Sequence, residues 1–220
     1  MVTNSHLANR LDPASAALAV IDVQNDFCDP NGSMARSGLD VGPAGDAVKR
    51  LAELIGTARE CGVPVIFVRT EHDDRVDSAE WSRRLETGRG RTPPPPGVNC
   101  STGSWGAEFF GVEPLSGEPV VVKHRYSAFS AEAFADTLQT LRRRSVLFAG
   151  VATHICVEST LRDAVDRDLL VMVVSDCCAA YEHEDHEASI VRIDRSFGPA
   201  ISSAEAMSGW HSLAGTKERA

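Results

Sequence analysis

Short apolar runs recur along the chain with helical patterns between them. Ala17-Leu18-Ala19-Val20-Ile21 is apolar on both faces and ends in a polar cluster, the pattern of a strand buried inside a parallel sheet. Val63 to Val68, Pro119 to Val122, Ser145 to Ala149 and Leu169 to Val174 repeat it, and a sixth strand is expected near Ala200 to Ser203. Between the runs, Val48, Leu51, Leu54 and Ile55 mark a helix over Gly45 to Glu60, with Gly62 as its stop. Phe134, Leu138 and Leu141 mark a second helix, and Thr153 to Asp166 and Glu184 to Arg195 two more. Strand–helix alternation of this kind predicts an α/β fold: three layers, α/β/α, around a mainly parallel six-stranded sheet, doubly wound.

Residues 16–205 hold this alternation and read as one domain. Residues 1–15 carry no apolar core and read as a loosely held arm, and 206–220 as a C-terminal tail. The segment 71–117, with Trp81, Pro93 to Pro96, Gly97, Gly103 and Trp105, lacks periodicity. Irregular connections of that length inside a domain are usually functional, here a lid or pocket wall.

Charge and composition narrow the classes. At 220 residues with a net charge of −9, the chain has no basic surplus for nucleic acid, and no apolar run reaches membrane-spanning length. The start shows no export signal, so the six cysteines read as reduced thiols of a cytoplasmic protein. No CxxC pair suggests structural zinc.

In open parallel sheets, ligands bind beyond the carboxyl ends of the strands. Three reactive side chains fall there: Asp22 after the first strand, Lys123 at the end of the third, and Cys156 in the helix start after the fourth. A thiolate is the attacking form of cysteine, and a helix N-terminus and a nearby cation both lower a thiol pKa. A carboxylate can take the thiol proton and later return it to a leaving amine. Lys123 would hold Asp22 charged, and backbone N–H groups at the helix start could receive an oxyanion. Taken singly, each residue is more ordinarily a cap, a surface charge or a small buried side chain. Their convergence on one rim gives the triad its force. Phe27, Trp81, Trp105, Tyr126 and Phe129 are candidate substrate-pocket walls, with ordinary lid and core packing as the alternative for all five and as an even match for Trp81 and Phe129. Arg69, Glu71 and Arg125 could read polar groups.

Ala19 to Phe27, Val121 to Phe129 (VVKHRYSAF) and Phe148 to Ala164 (FAGVATHICVESTLRDA) resemble the isochorismatase-like cysteine hydrolases, in that family's order. The resemblance covers about Ala16 to Ile201. It implies a catalytic triad of Asp22, Lys123 and Cys156. It also implies a cis peptide between Val151 and Ala152, an oxyanion hole from the Ala152 and Cys156 N–H groups, and assembly as a homodimer or homotetramer. The metal-binding members carry an Asp-x-His segment after the second strand. Here it reads Arg69-Thr70-Glu71-His72-Asp73-Asp74, so no metal or other cofactor is expected. His183 and His186 are three apart, but in an acidic helix start. The presence of Cys156 favours acyl transfer over the vinyl-ether hydrolysis of the namesake enzymes, and over a non-catalytic binding protein on the same fold. The motifs look most like the ureidoacrylate and N-carbamoyl amide hydrolases and streptothricin hydrolase. The expected activity is hydrolysis of the C–N bond of a small amide, ureido, carbamoyl or lactam substrate through a thioester.

Overall fold

The computed structural model describes residues 4–83 and 99–217. Its elements are α1 (Asn4–Leu11), β1 (Ala16–Ile21), α2 (Asn25–Cys28), α3 (Ser33–Arg36), α4 (Gly42–Glu60), β2 (Val65–Thr70) and α5 (Ala79–Arg83). There follow β3 (Val120–Lys123), α6 (Glu132–Thr140), β4 (Ser145–Val151), α7 (Glu158–Val165), β5 (Leu170–Ala179), α8 (His183–Ser196), β6 (Ala200–Ile201) and α9 (Ser203–Lys217). Among the described residues, six strands form one parallel sheet in the order β3-β2-β1-β4-β5-β6.

The central strands explain why the sheet organises the molecule. Every residue of β1 and of β4 is buried, as continuous apolar runs require when helices cover both faces. Alternation along β1 splits the core: Ala16, Leu18 and Val20 pack with Val48, Leu51 and Leu54 of α4, while Ala17, Ala19 and Ile21 pack with Phe134 of α6, Leu161 of α7 and Ile193 of α8. β2 begins two residues later than its apolar run suggests. Pro64 lacks an N–H for the ladder, although its carbonyl still accepts from Leu18 N–H (2.9 Å).

Both chain ends differ from their expectation. Residues 4–11 are helical rather than a loose arm: Leu11 is buried, Arg10 donates to the Val171 carbonyl (2.9 Å), and Ser145 Oγ donates to the Arg10 carbonyl (2.7 Å). The tail is α9, which buries Ala206 and Trp210 on the α4 side of the sheet. Complete burial of such a large apolar side chain contributes on the order of 1.5–3 kcal/mol, enough to dock a helix of weak amphipathicity. Within the irregular stretch, His72 bridges to Ser101 and Gln24 to Phe109, so that segment is tied to the sheet on both sides of the site. Pro93 to Pro96 and Gly97 lie outside the described residues.

Candidate active site

The strand order reverses between β1 and β4, and a crevice opens there at the carboxyl edge of such a sheet. Asp22 directly follows β1 and the segment bearing Cys156 directly follows β4, so the two flank this crevice. Asp22 takes a left-handed backbone conformation (φ 51°), which turns the chain out of the strand at a cost of about 1–3 kcal/mol for a residue with a side chain. The neighbouring strand comes very close at this point. A Cβ on Gly150 (φ 130°) would lie 2.0 Å from the Ile21 carbonyl oxygen. The Val151–Ala152 peptide is cis.

Lys123 crosses to Asp22 from the end of β3. Its Nζ donates to Asp22 Oδ2 (2.7 Å) and to the Arg125 carbonyl (3.0 Å), and both side chains of the pair are sequestered from solvent. Asp22 Oδ1 is buried without a hydrogen-bond partner. Cys156 is half-buried, and its thiol adjoins both members of the pair.

The electrostatics differ from the expectation for the thiol. Burial, and then the Asp22 charge, push the Cys156 thiol well up, beyond what Lys123 offsets. Burial raises the Asp22 carboxyl above its ordinary value against the pull of Lys123. For Lys123 burial acts downward, but Asp22 and Cys156 outweigh it and hold the ammonium up. Burial thus favours the thiol over the thiolate beside the hydrogen-bonded Lys123–Asp22 pair. Cys156 lies in a π turn, Thr153–Val157, that runs directly into α7 at Glu158, and burial there together with the Asp22 charge sets the direction of the shift.

The turn is strapped to its surroundings. Ile155 and Val157 N–H donate to the Ala152 carbonyl (3.1 and 3.4 Å), and Thr160 Oγ1 donates to the Cys156 carbonyl (2.7 Å). His186 Nδ1 meets Thr153 Oγ1 at 2.9 Å, which gives that histidine a place in the fold. Buried Glu158 accepts from Ser189 Oγ, Arg162 and Arg192.

The five aromatic residues separate. Trp81 and Tyr126 come together edge-on at 5.0 Å, with the His72 ring stacked on Trp81 at 6.2 Å and Arg125 over it at 4.7 Å. This cluster adjoins the Lys123 end of the crevice through the Arg125 carbonyl. Phe129 instead packs against Phe134 (4.9 Å) and under Arg167 (4.5 Å), in the core layer of α6 and α7, because the 3-10 turn Ala128–Ser130 carries it there. Phe27 belongs to the core layer beneath α4. Trp105 is 47% exposed. Arg69 pairs with Glu71 (2.7 Å), and the two line a surface cleft with Thr102 to Ser104, Ala107 and Glu108.

Several site residues were not singled out from the sequence. Gln24 is fully buried; its Nε2 donates to the Thr70 and Ala107 carbonyls (2.9 Å each) and its Oε1 accepts from Thr70 N–H (2.8 Å). Asp26 accepts from Ser33 N–H (2.9 Å) and Cys100 N–H (2.7 Å). A Cβ on Gly106 would sit 2.1 Å from Asp26 Oδ2, so only glycine permits that contact. His72 Nδ1 pairs with Asp77 (3.0 Å), and its Nε2 lies 3.2 Å from Thr70 Oγ1. The available signal was the spacing of Gln24 and Asp26 after Asp22, polar side chains at alternate positions where an apolar run had just ended.

Comparison with known proteins adds independent findings. A family model described as the isochorismatase domain matches residues 16–205. A ureidoacrylate amidohydrolase RutB from Methylobacterium radiotolerans is 34% identical over 200 residues, covering 86% of this chain and 76% of the relative. One from Pseudomonas savastanoi pv. phaseolicola is 32% identical over 199 residues, covering 86% and 81%. Among solved structures, an isochorismatase family protein from Desulfovibrio vulgaris matches with a TM-score of 0.73 at 30% identity, covering 86% of this chain and 95% of the other. A cysteine hydrolase from Pseudomonas syringae pv. phaseolicola shares the fold (TM-score 0.77, 24% identity, 93% and 96% covered).

Proposed function

The chain belongs to the isochorismatase family and is a hydrolase of carbon–nitrogen bonds other than peptide bonds, and on that premise we propose that Cys156 is its nucleophile, Asp22 its general base and acid, and Lys123 its structural cation. The observation that carries this reading is the divided state of Asp22. One carboxylate oxygen is held by Lys123 at 2.7 Å and the other is buried without a hydrogen-bond partner, while the Cys156 thiol adjoins the carboxyl group. An unpaired carboxylate oxygen in a dry corner is a strong acceptor for the next proton offered to it.

In the proposed cycle the thiol proton passes to Asp22 Oδ1 as Sγ attacks the substrate carbonyl carbon, so a free thiolate never accumulates. The new oxyanion lies against the Ala152 and Cys156 N–H groups. Its collapse breaks the C–N bond, and protonated Asp22 delivers its proton to the leaving nitrogen. Water then attacks the thioester and gives a proton to Asp22. The acid leaves, and that proton returns to sulfur. Lys123 keeps the charge of the corner balanced throughout. A raised Asp22 carboxyl suits this role, because a base works best when its pKa approaches the working pH.

The substrate is a small amide, ureido, carbamoyl or lactam compound. The Trp81–Tyr126 pair, with His72 and Arg125, supplies one wall suited to a planar group. A cytoplasmic setting accords with the six free cysteine thiols, and assembly as a homodimer or homotetramer belongs to the same reading; among the described residues, no helix is long and apolar enough to cross a membrane. Light scattering on the purified chain tests the assembly.

Ammonia release across ureido, carbamoyl, nicotinamide and lactam substrates, with Cys156→Ala as control, tests the activity. Release from at least one substrate that disappears in the variant is expected. Equal release from the variant overturns the mechanism.

A further inference from the structure

Cys156 and Lys123 hang from β4 and β3, with β1 and β2 between them. Three strand spacings amount to about 14 Å across the sheet, so the sheet alone does not set the distance between thiol and ammonium. That distance depends on how the segments beyond the two strands are joined.

One side chain joins them directly. Thr160, in α7, is completely buried. Its Oγ1 accepts from the N–H of Ala128, 32 residues away (3.0 Å), and donates to the carbonyl of Cys156 (2.7 Å). Donation to the carbonyl four residues back is common for a helical threonine. The bond from Ala128 is not local. Ala128 begins the 3-10 turn that follows Arg125, whose carbonyl receives Lys123 Nζ (3.0 Å). A hydroxyl has one proton; because Ala128 N–H must donate, that proton goes to Cys156, and the directions of both bonds are determined. The other straps on the nucleophile turn, His186 on Thr153 and Ser189 with Arg192 on Glu158, run to α8 and do not reach the β3 side.

We propose that Thr160 is a positioning residue: its hydroxyl locks the Cys156 turn to the segment that follows Lys123, and so sets the separation of nucleophile and cation during turnover. The proposal rests on the hydrolase reading above and deepens it. Serine retains both bonds. Valine has nearly the volume of threonine but loses them, leaving the buried Ala128 N–H and the Cys156 carbonyl to relax away from each other.

Thr160→Val, Thr160→Ser and the smaller Thr160→Ala are compared by kcat and KM on a substrate the native enzyme cleaves. Cys156 alkylation by iodoacetamide is also followed against pH, by mass analysis of the Cys156 peptide. The valine and alanine variants should lose roughly tenfold to a hundredfold in kcat with KM little changed, the loss expected when reacting groups shift by about an ångström. Their alkylation profiles should depart from the native one as the thiol shifts relative to the Asp22–Lys123 pair. Serine should restore both readouts. A folded valine or alanine variant with native kcat and a native profile overturns the proposal, as does a serine variant as impaired as valine, which would make the methyl group's packing the cause. If valine does not fold, alanine and serine decide the matter in the same way. If the native protein cleaves none of the substrates, the hydrolase reading has failed, and the alkylation profiles still decide whether Thr160 sets the thiol's surroundings.

Discussion

Asp22 and Lys123 stand 101 residues apart in the chain and 2.7 Å apart in space, with neither side chain open to solvent. Attraction within such a buried pair barely repays the desolvation of two charges, and removing one partner exposes the full cost of the other. Lys123→Met should therefore lower stability by about 3–5 kcal/mol in urea denaturation and abolish turnover. The double variant Asp22→Asn/Lys123→Met should regain part of that stability and remain inactive. Strict additivity of the two single changes would mean that the residues are not coupled.

The thiol makes a second prediction. Burial and the Asp22 charge raise Cys156 above the ordinary thiol value of 9.0, so the resting enzyme holds Cys156 protonated at neutral pH. Alkylation of Cys156 by iodoacetamide should be slow near pH 7 and keep climbing past pH 9.0. In contrast, kcat/KM should rise on an acid limb displaced above 3.8, the ordinary aspartate value, because turnover requires the carboxylate as acceptor. An alkylation rate that levels off at neutral pH would indicate a preformed thiolate and a different division of labour in the site.

The parts legible in the sequence share one physical cause. A strand covered on both faces must be apolar throughout, so β1, β2, β4 and β5 announced themselves, and with them the edge where Asp22, Lys123 and Cys156 emerge. What escaped depends on contacts that have no period. α9 turns Ala206, Met207, Trp210 and Leu213 to the core, but the small alanine, glycine and serine residues around them leave little contrast between its faces. The π turn at Thr153 spans five residues, too few for a periodic signal, and the burial that raises the thiol depends on what the fold packs around that turn. Gln24 and Asp26 look like turn residues until the loop they hold, Cys100 to Ala107, is brought over them. Phe129 resembled a pocket residue because it follows Tyr126 closely, yet the 3-10 turn that contains it, Ala128–Ser130, carries it into the core layer of α6 and α7.

Glu158 ties stability to pH. Burial alone would raise its carboxyl, but hydrogen bonds from Ser189, Arg162 and Arg192 outweigh it and hold the group below its ordinary 4.5. A carboxylate depressed in the folded state contributes stability that is fully present above its unfolded value and is lost as pH falls through the folded one. The melting temperature should accordingly decline as pH drops below 4.5, and Glu158→Gln should flatten that decline while lowering stability at neutral pH. Parallel curves for the two proteins between neutral and acid pH would remove Glu158 as the source.

Gly150 sets how closely β4 approaches β1 at the catalytic edge. At φ 130° it occupies backbone space that side chains rarely enter, and a Cβ there would meet the Ile21 carbonyl oxygen at 2.0 Å, one residue before Asp22. Gly150→Ala must either push the strands apart or rotate the peptide leading to Ala152. Both movements displace the residues proposed for catalysis. Strain of this kind costs about 1–3 kcal/mol before any clash is counted, so a drop of at least that size in urea denaturation is expected, with a larger proportional loss of activity. Gly45 supplies the control, since it lies in α4 with nothing within 4 Å of its would-be Cβ. Gly45→Ala should stabilise the protein by about 0.5–1 kcal/mol through lost freedom of the unfolded chain and leave activity unchanged. If both substitutions proved equally tolerated, the close approach of β4 to Ile21 could not be what holds Asp22 in place.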